Sequence, residues 1–372
     1  MNQKQNAPFR ADVVGSFLRP EVLKNAREKF FQNLISTEEL KQVEDEEIRK
    51  LVIKQKEVGL NVATDGEFRR SYWHLDFFWG FDGVEHNVMK QGYQFHGEET
   101  RADSARLCGK IRFTGHPFLE QFKFLKNIVS SDVVARQTIP APAQFYAELL
   151  RGENEERVNE FYPDRNELIK DIAIAYHNAI LEFYKLGCRN IQLDDCTWGM
   201  LCDKKFWDTM ANGEYSVSKL QELYLELNNR AIENLPEDLI VNTHVCRGNY
   251  HSTWATSGGY EPVAENLFGK ENINAYYLEF DTNRSGSFEP LQHVSGSKGV
   301  VLGLITSKFP ELEDKEQIKA RIKEASRFVP LDRLYLSPQC GFASTEEGNI
   351  LTEEEQWKKI ALVCEIAKEV WG

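Results

Sequence analysis

The chain has 372 residues, in which 58 Asp and Glu outnumber 45 Lys and Arg for a formal charge of −13. No basic run is long enough to follow a phosphate backbone, which excludes nucleic acid as a partner. Hydrophobic residues make up 41% and aromatics 12%, enough for a sizeable core and too many for wholesale disorder.

Residues 1–10 read as a loose arm. A first strand-like run follows at 12–16 (DVVGS), then apolar residues at helical spacing over 40–58 and a second strand at 61–66 (NVATDG). Residues 80–118 fit no helix template and are read as an inserted hairpin between the second and third strands. Further strands are expected at 132–141, 190–194, 238–246, 275–281, 300–306 and 333–340, with amphipathic helices at 167–186, 216–234, 313–328 and 352–371. Gly59 and Gly187 stand where a helix C′ residue needs a left-handed backbone, each just ahead of a strand. Eight strands alternating with helices predict an α/β fold, a single (β/α)8 TIM barrel. No linker or compositional break divides 1–372, so one domain is expected.

No window approaches the roughly 18 consecutive apolar residues of a membrane span, and the first residues lack a signal-peptide core. Seven scattered cysteines (108, 188, 196, 202, 246, 340, 364) are unlike a secreted disulfide framework. A cytoplasmic protein with no membrane partner is expected. A homo-oligomer is compatible with the sequence, which does not set the oligomeric state.

In a barrel the working side chains lie at the C-terminal strand ends. Here those ends carry Ser16, Asp65, Glu67, Asp194, Asp195, His244, Cys246, Glu279, Asp281, Thr306 and Cys340. In THVC, His244 and Cys246 are two apart on a strand, so both side chains share one face about 6–7 Å apart. With Glu279 and Cys340 ending later strands, the four residues offer two thiolates, an imidazole and a carboxylate, a set suited to tetrahedral zinc. Ligands drawn from separate strands presuppose a finished fold, which points to a functional metal and away from a structural one. Against this stands the ordinary reading, in which a strand-end Cys is a small buried hydrophobe and a strand-end His a hydrogen-bonded rim residue. Cys188 and Cys364 are assigned to the core; Cys108, Cys196 and Cys202 belong to no motif.

VGSF (14–17), DGE (65–67), IQLDD (191–195), THVC (243–246), LEF (278–280) and SPQCG (337–341) together resemble, in order, the cobalamin-independent methionine synthases and their shorter single-barrel relatives. The resemblance implies that His244, Cys246, Glu279 and Cys340 hold Zn2+. It also implies that Ser16, Glu67 and Asp194 bind homocysteine, the two acids facing its ammonium while backbone N–H groups near Gly15 and the Ser16 hydroxyl face its carboxylate. The competing reading for the acids is helix capping or pairing with Arg69 and Arg70.

The expected chemistry is ionisation of a small-molecule thiol at zinc and its methylation, most simply from 5-methyltetrahydrofolate. Lys308, in GLITSKFP (303–310), is the candidate acid for the departing amine, against a reading as a solvated lysine. The aromatic that helps bind the pterin in the full-length members it resembles has no clear equivalent, since IPAPAQFY (139–146) supplies only Phe145 and Tyr146 nearby. A methylcorrinoid donor or another thiol, a lyase resembling uroporphyrinogen decarboxylase, and a non-enzymatic zinc protein are the alternatives.

Overall fold

The computed structural model describes residues 7–206 and 216–372. Each expected helix forms, with bounds set by local chemistry. Helix Thr37–Glu57 opens on a capping box in which the Ser36 side chain and Glu39 satisfy each other's backbone N–H, and Glu353–Trp371 opens on the same device at Thr352 and Glu355. Gly59 (φ +106°) and Gly187 (φ +91°) end their helices in the left-handed region, as their placement predicts. The remaining expected helices are Arg165–Lys185, Val217–Ala231 and Lys315–Ala325.

Among the described residues, ten strands run β1 (Val62–Ala63), β2 (Asp82–Val88), β3 (Asp103–Arg112), β4 (Val134–Ala135), β5 (Gln137–Pro140), β6 (Asn190–Asp195), β7 (Ile240–Val245), β8 (Ala275–Glu279), β9 (Gly299–Ile305) and β10 (Leu334–Pro338). The last six form one parallel sheet in sequence order from β5 to β10. Strand β1 pairs in parallel with β4, which is separated from β5 only by Arg136. The first expected strand contributes two parallel bridges, Ala11 to Leu336 beside β10 and Ser16 to Gly66 beyond β1. Within 80–118, β2 and β3 form an antiparallel ladder.

The parallel strands are buried almost throughout, which explains their continuous apolar runs. One hydrophobic cluster gathers residues from Ala7 to Ile366. The expectation of a loose arm is corrected for 7–10: Ala7 and Phe9 are buried, and the Arg10 guanidinium donates to the Leu334 carbonyl. Residues 1–6 lie outside the described residues. Among the described residues, no helix is long and apolar enough to cross a membrane.

Candidate metal and substrate site

The C-terminal ends of β6 and β7, with Val14, Ser16, Glu67 and the segment after Pro338, open into a cavity of about 700 Å³. His244, Cys246 and Cys340 line it, and their ligand atoms all lie within 4.8 Å of one another. The Cys246 and Cys340 sulfurs are 3.5 Å apart, and Cys340 Sγ is 3.5 Å from His244 Nε2. Tetrahedral zinc with Zn–S bonds of ~2.3 Å needs a sulfur–sulfur separation of ~3.8 Å, so the thiols stand within a few tenths of an ångström of the spacing such an ion requires. His244 Nδ1 lies 3.1 Å from the Tyr277 carbonyl, which can only accept. An N–H on Nδ1 satisfies that carbonyl, which leaves Nε2 as the nitrogen turned toward the Cys340 sulfur.

The electrostatics favour one thiolate even without an ion. Hydrogen bonds from Cys196 and Cys340 hold the Cys246 thiol well below its usual range, helped by His244 and opposed by burial. The Gly248 N–H also donates to Cys246 Sγ at 3.2 Å. Cys340 is pushed up, by its hydrogen bond to Cys246 and by burial. Burial pulls His244 down, but Cys246, Asp194 and Glu279 together outweigh that and the imidazole is raised overall.

Glu279 is wholly buried and is not one of the three clustered ligand groups. Its Oε1 accepts the Arg247 backbone N–H at 2.8 Å and its Oε2 accepts Arg284 Nη2 at 2.9 Å.

Ser16, Glu67 and Asp194 line the same cavity. The competing reading for the acids is met only in part. Glu67 lies 3.2 Å from Arg70, while Arg69 pairs with Glu44 and Asp45. Glu67 Oε1 accepts the Thr138 hydroxyl, but Oε2 is buried without a hydrogen-bond partner. Burial raises both acids, Asp194 to about 7 with the charge of Glu67 adding, while Arg70 and Arg19 oppose the rise at Glu67. Two buried carboxyl groups thus meet at one cavity, one of them with an unpartnered oxygen. Gly341 is required here because a Cβ on it would fall 1.9 Å from Ser16 Oγ. Gly15 does not line the cavity but joins Val14 and Ser16, which do.

Lys308 is neither solvated nor at the cavity wall. It is 1% exposed, and its ammonium donates to Asn249 Oδ1, the Thr253 carbonyl and the Gly248 carbonyl at 2.7, 2.9 and 3.3 Å. With every N–H engaged, its place is that of an anchor for the loop after β7. Phe145 packs in the core against Phe78 and Phe81, while Tyr146 lines the cavity.

Several cavity residues lie outside the motifs. Cys196 follows Asp194 by two positions, the spacing that identifies His244 and Cys246, and the same arithmetic would have placed it at the rim. The far wall is aromatic: Tyr72, Trp73, His74, Tyr93 and Phe95. There Tyr93 Oη donates to Glu148 Oε2 at 2.6 Å and lies 2.8 Å from His74 Nε2. Tyr93 is carried by the connection between β2 and β3, a contact no local pattern reports.

Strand ends on a parallel α/β framework bring two thiols and an imidazole to a cavity beside two buried acids, a cluster whose geometry could hold a metal ion. Comparison with known proteins narrows this. Residues 9–86 and 157–368 match the family model described as cobalamin-independent synthase, catalytic domain. The chain is 46% identical to the YxjH protein of Bacillus subtilis (strain 168), over 99% of its own length and 96% of that protein's. A solved structure from Listeria monocytogenes superposes with a TM-score of 0.78 at 44% identity, covering 99% of both chains. The 5-methyltetrahydropteroyltriglutamate–homocysteine methyltransferase of Bacillus thuringiensis (strain Al Hakam) is 23% identical over 94% of this chain, which spans 42% of that enzyme. The chain belongs to the cobalamin-independent methionine synthase family, through its catalytic domain, and is a methyltransferase with a TIM-barrel-like α/β fold.

Proposed function

We propose that this protein methylates homocysteine to methionine in the cytoplasm, with Zn2+ held by His244, Cys246 and Cys340, Glu279 as the fourth ligand, and 5-methyltetrahydrofolate as the methyl donor. The observation that carries the reading is the convergence of His244, Cys246 and Cys340 at the cavity. When bound, zinc would favour the ionised form of the substrate thiol. The residues of the chain do the rest. Glu67 and Asp194 receive the ammonium, and the Ser16 hydroxyl faces the carboxylate, so the thiol is directed toward the His244 and Cys340 end. The aromatic wall from Tyr72 to Phe95 leaves room for a flat donor and excludes water from the attack. Holding sulfur and methyl in line supplies much of the acceleration. The name of the Bacillus thuringiensis relative supports the donor and acceptor, and the free state of all seven cysteines suits a reducing compartment.

The framework we infer is one domain, an eight-strand closed barrel with 80–118 inserted between its second and third strands. The bridges from Ala11 to Leu336 and from Ser16 to Gly66 support closure, since they join the β10 edge to β1 through residues 11–16.

The test is transfer from methyltetrahydrofolate to homocysteine by zinc-loaded wild type and Cys340→Ser. Loss of at least about 100-fold in the variant is expected, given the typical cost of a lost catalytic electrostatic partner. Equal methionine formation by both proteins would overturn the reading.

A further inference from the structure

Glu279 departs from the other proposed ligands in one respect: each of its oxygens accepts a hydrogen bond from an arginine, Arg247 through its backbone N–H and Arg284 through its guanidinium. Arg284 Nη2 donates to Glu279 Oε2 at 2.9 Å and to Asp281 Oδ1 at 3.0 Å, and its guanidinium lies over the Trp254 ring, 5.2 Å from the centroid. The Arg284 side chain is only 9% exposed and that of Glu279 is fully buried, so water screens the pair little. The Arg247 N–H fills the other Glu279 oxygen. His244, Cys246 and Cys340, by contrast, have ligand atoms within 4.8 Å of one another.

We propose that Arg284 is a positioning residue that competes with the metal for Glu279, keeping the carboxylate in reserve so that a coordination position stays available to the substrate thiol. This rests on the zinc reading above. A metal with four protein ligands leaves no place for a thiol unless one ligand yields, and a carboxylate leaving a buried site needs a counter-cation to receive it. Among the four, Glu279 has such a receiver already docked. The arrangement sets metal affinity and thiol affinity against each other through a single side chain.

Two binding measurements on the full chain test this. Zinc affinity is read by competition with a chromophoric chelator, using the metal alone. Arg284→Gln should bind zinc about tenfold more tightly than wild type, because Glu279 loses its competing partner. In a Glu279→Gln background the same change should alter affinity less than about twofold. Calorimetric titration of the zinc-loaded proteins with homocysteine should then show binding about tenfold weaker in Arg284→Gln, by the reciprocity of linked equilibria. Unchanged or weaker zinc binding in Arg284→Gln, or the same tightening with and without Glu279, would overturn the assignment. If circular dichroism shows that Arg284→Gln is unfolded, Arg284→Lys keeps the charge with a shorter, single-point reach. It should move zinc affinity in the same direction by a smaller factor, and movement the other way rejects the idea. Failure of the zinc reading looks different: Cys340→Ser would then hold zinc as wild type does.

Discussion

At the scale of single residues, the most telling atom is Glu67 Oε2, a buried acceptor without a partner. An unfilled buried carboxylate oxygen costs free energy that a bound ammonium returns, and a hydrogen bond to a charged group contributes about 1.5–3 kcal/mol. Glu67→Gln should therefore raise the KM for homocysteine by about 10- to 100-fold with a smaller change in kcat. A thiol acceptor lacking the amino group should show no such rise, and steady-state kinetics with both acceptors decides it. An equal effect on the two would remove Glu67 from the ammonium site. The strand-end residues were legible because strand geometry alone puts positions two apart on one face, which is why THVC could be read as a pair. Cys196 obeyed that rule two residues after Asp194 yet matched no motif. Arg284 and Tyr93 were illegible, since both reach the site from connections whose path no periodicity encodes.

At the scale of elements, the eight expected extended stretches are all present in parallel pairing, but some are much reduced. The run 132–141 divides into β4 and β5 at Arg136, and 61–66 shrinks to Val62–Ala63. A charged residue inside a strand reads in sequence as solvent-facing; here Arg136 is buried and ties four segments together. It donates to Asp12 Oδ1 at 2.9 Å, to Tyr277 Oη at 2.6 Å and to Asn190 Oδ1 at 2.6 Å, while Tyr277 Oη donates to Asp12 Oδ2. Asp12 thus connects the first bridging segment to β8, and Asn190 connects β6. Replacing Arg136 with Met strands the Asp12 carboxylate, and removing one partner of a buried pair costs about 3–5 kcal/mol. Urea unfolding of Arg136→Met should show that loss, largely relieved in the Asp12→Asn/Arg136→Met double variant. A single-variant loss under about 1 kcal/mol would mean that the network contributes little to joining these strands.

At the scale of the whole molecule, helix positions and the order of strands could be read from apolar periodicity, whereas the charge buried beside the working strand ends could not. Glu271 is the clearest case, because it looks like an ordinary surface acid following a helix. It is fully buried, and Asn228 Nδ2 lies 3.0 Å from both Glu271 Oε1 and Asp195 Oδ2, so two acids share one amide. Burial, with Asp195 adding, drives Glu271 up to about 8 from an ordinary 4.5. A carboxyl whose folded pKa is raised binds its proton more tightly in the folded state than in the unfolded one. Its stabilising contribution is complete below pH 4.5 and is lost as pH rises through 8, at up to about 1.4 kcal/mol per pH unit. The difference in stability between wild type and Glu271→Gln should therefore change steadily between pH 5 and 8 in favour of the variant, then level off above it. Groups that do not interact with Glu271 cancel in that difference, so thermal or urea midpoints measured in parallel across the range report Glu271 together with its neighbour Asp195. Curves that stay parallel from pH 5 to 9 would show that this acid ionises in the fold as freely as it does in water.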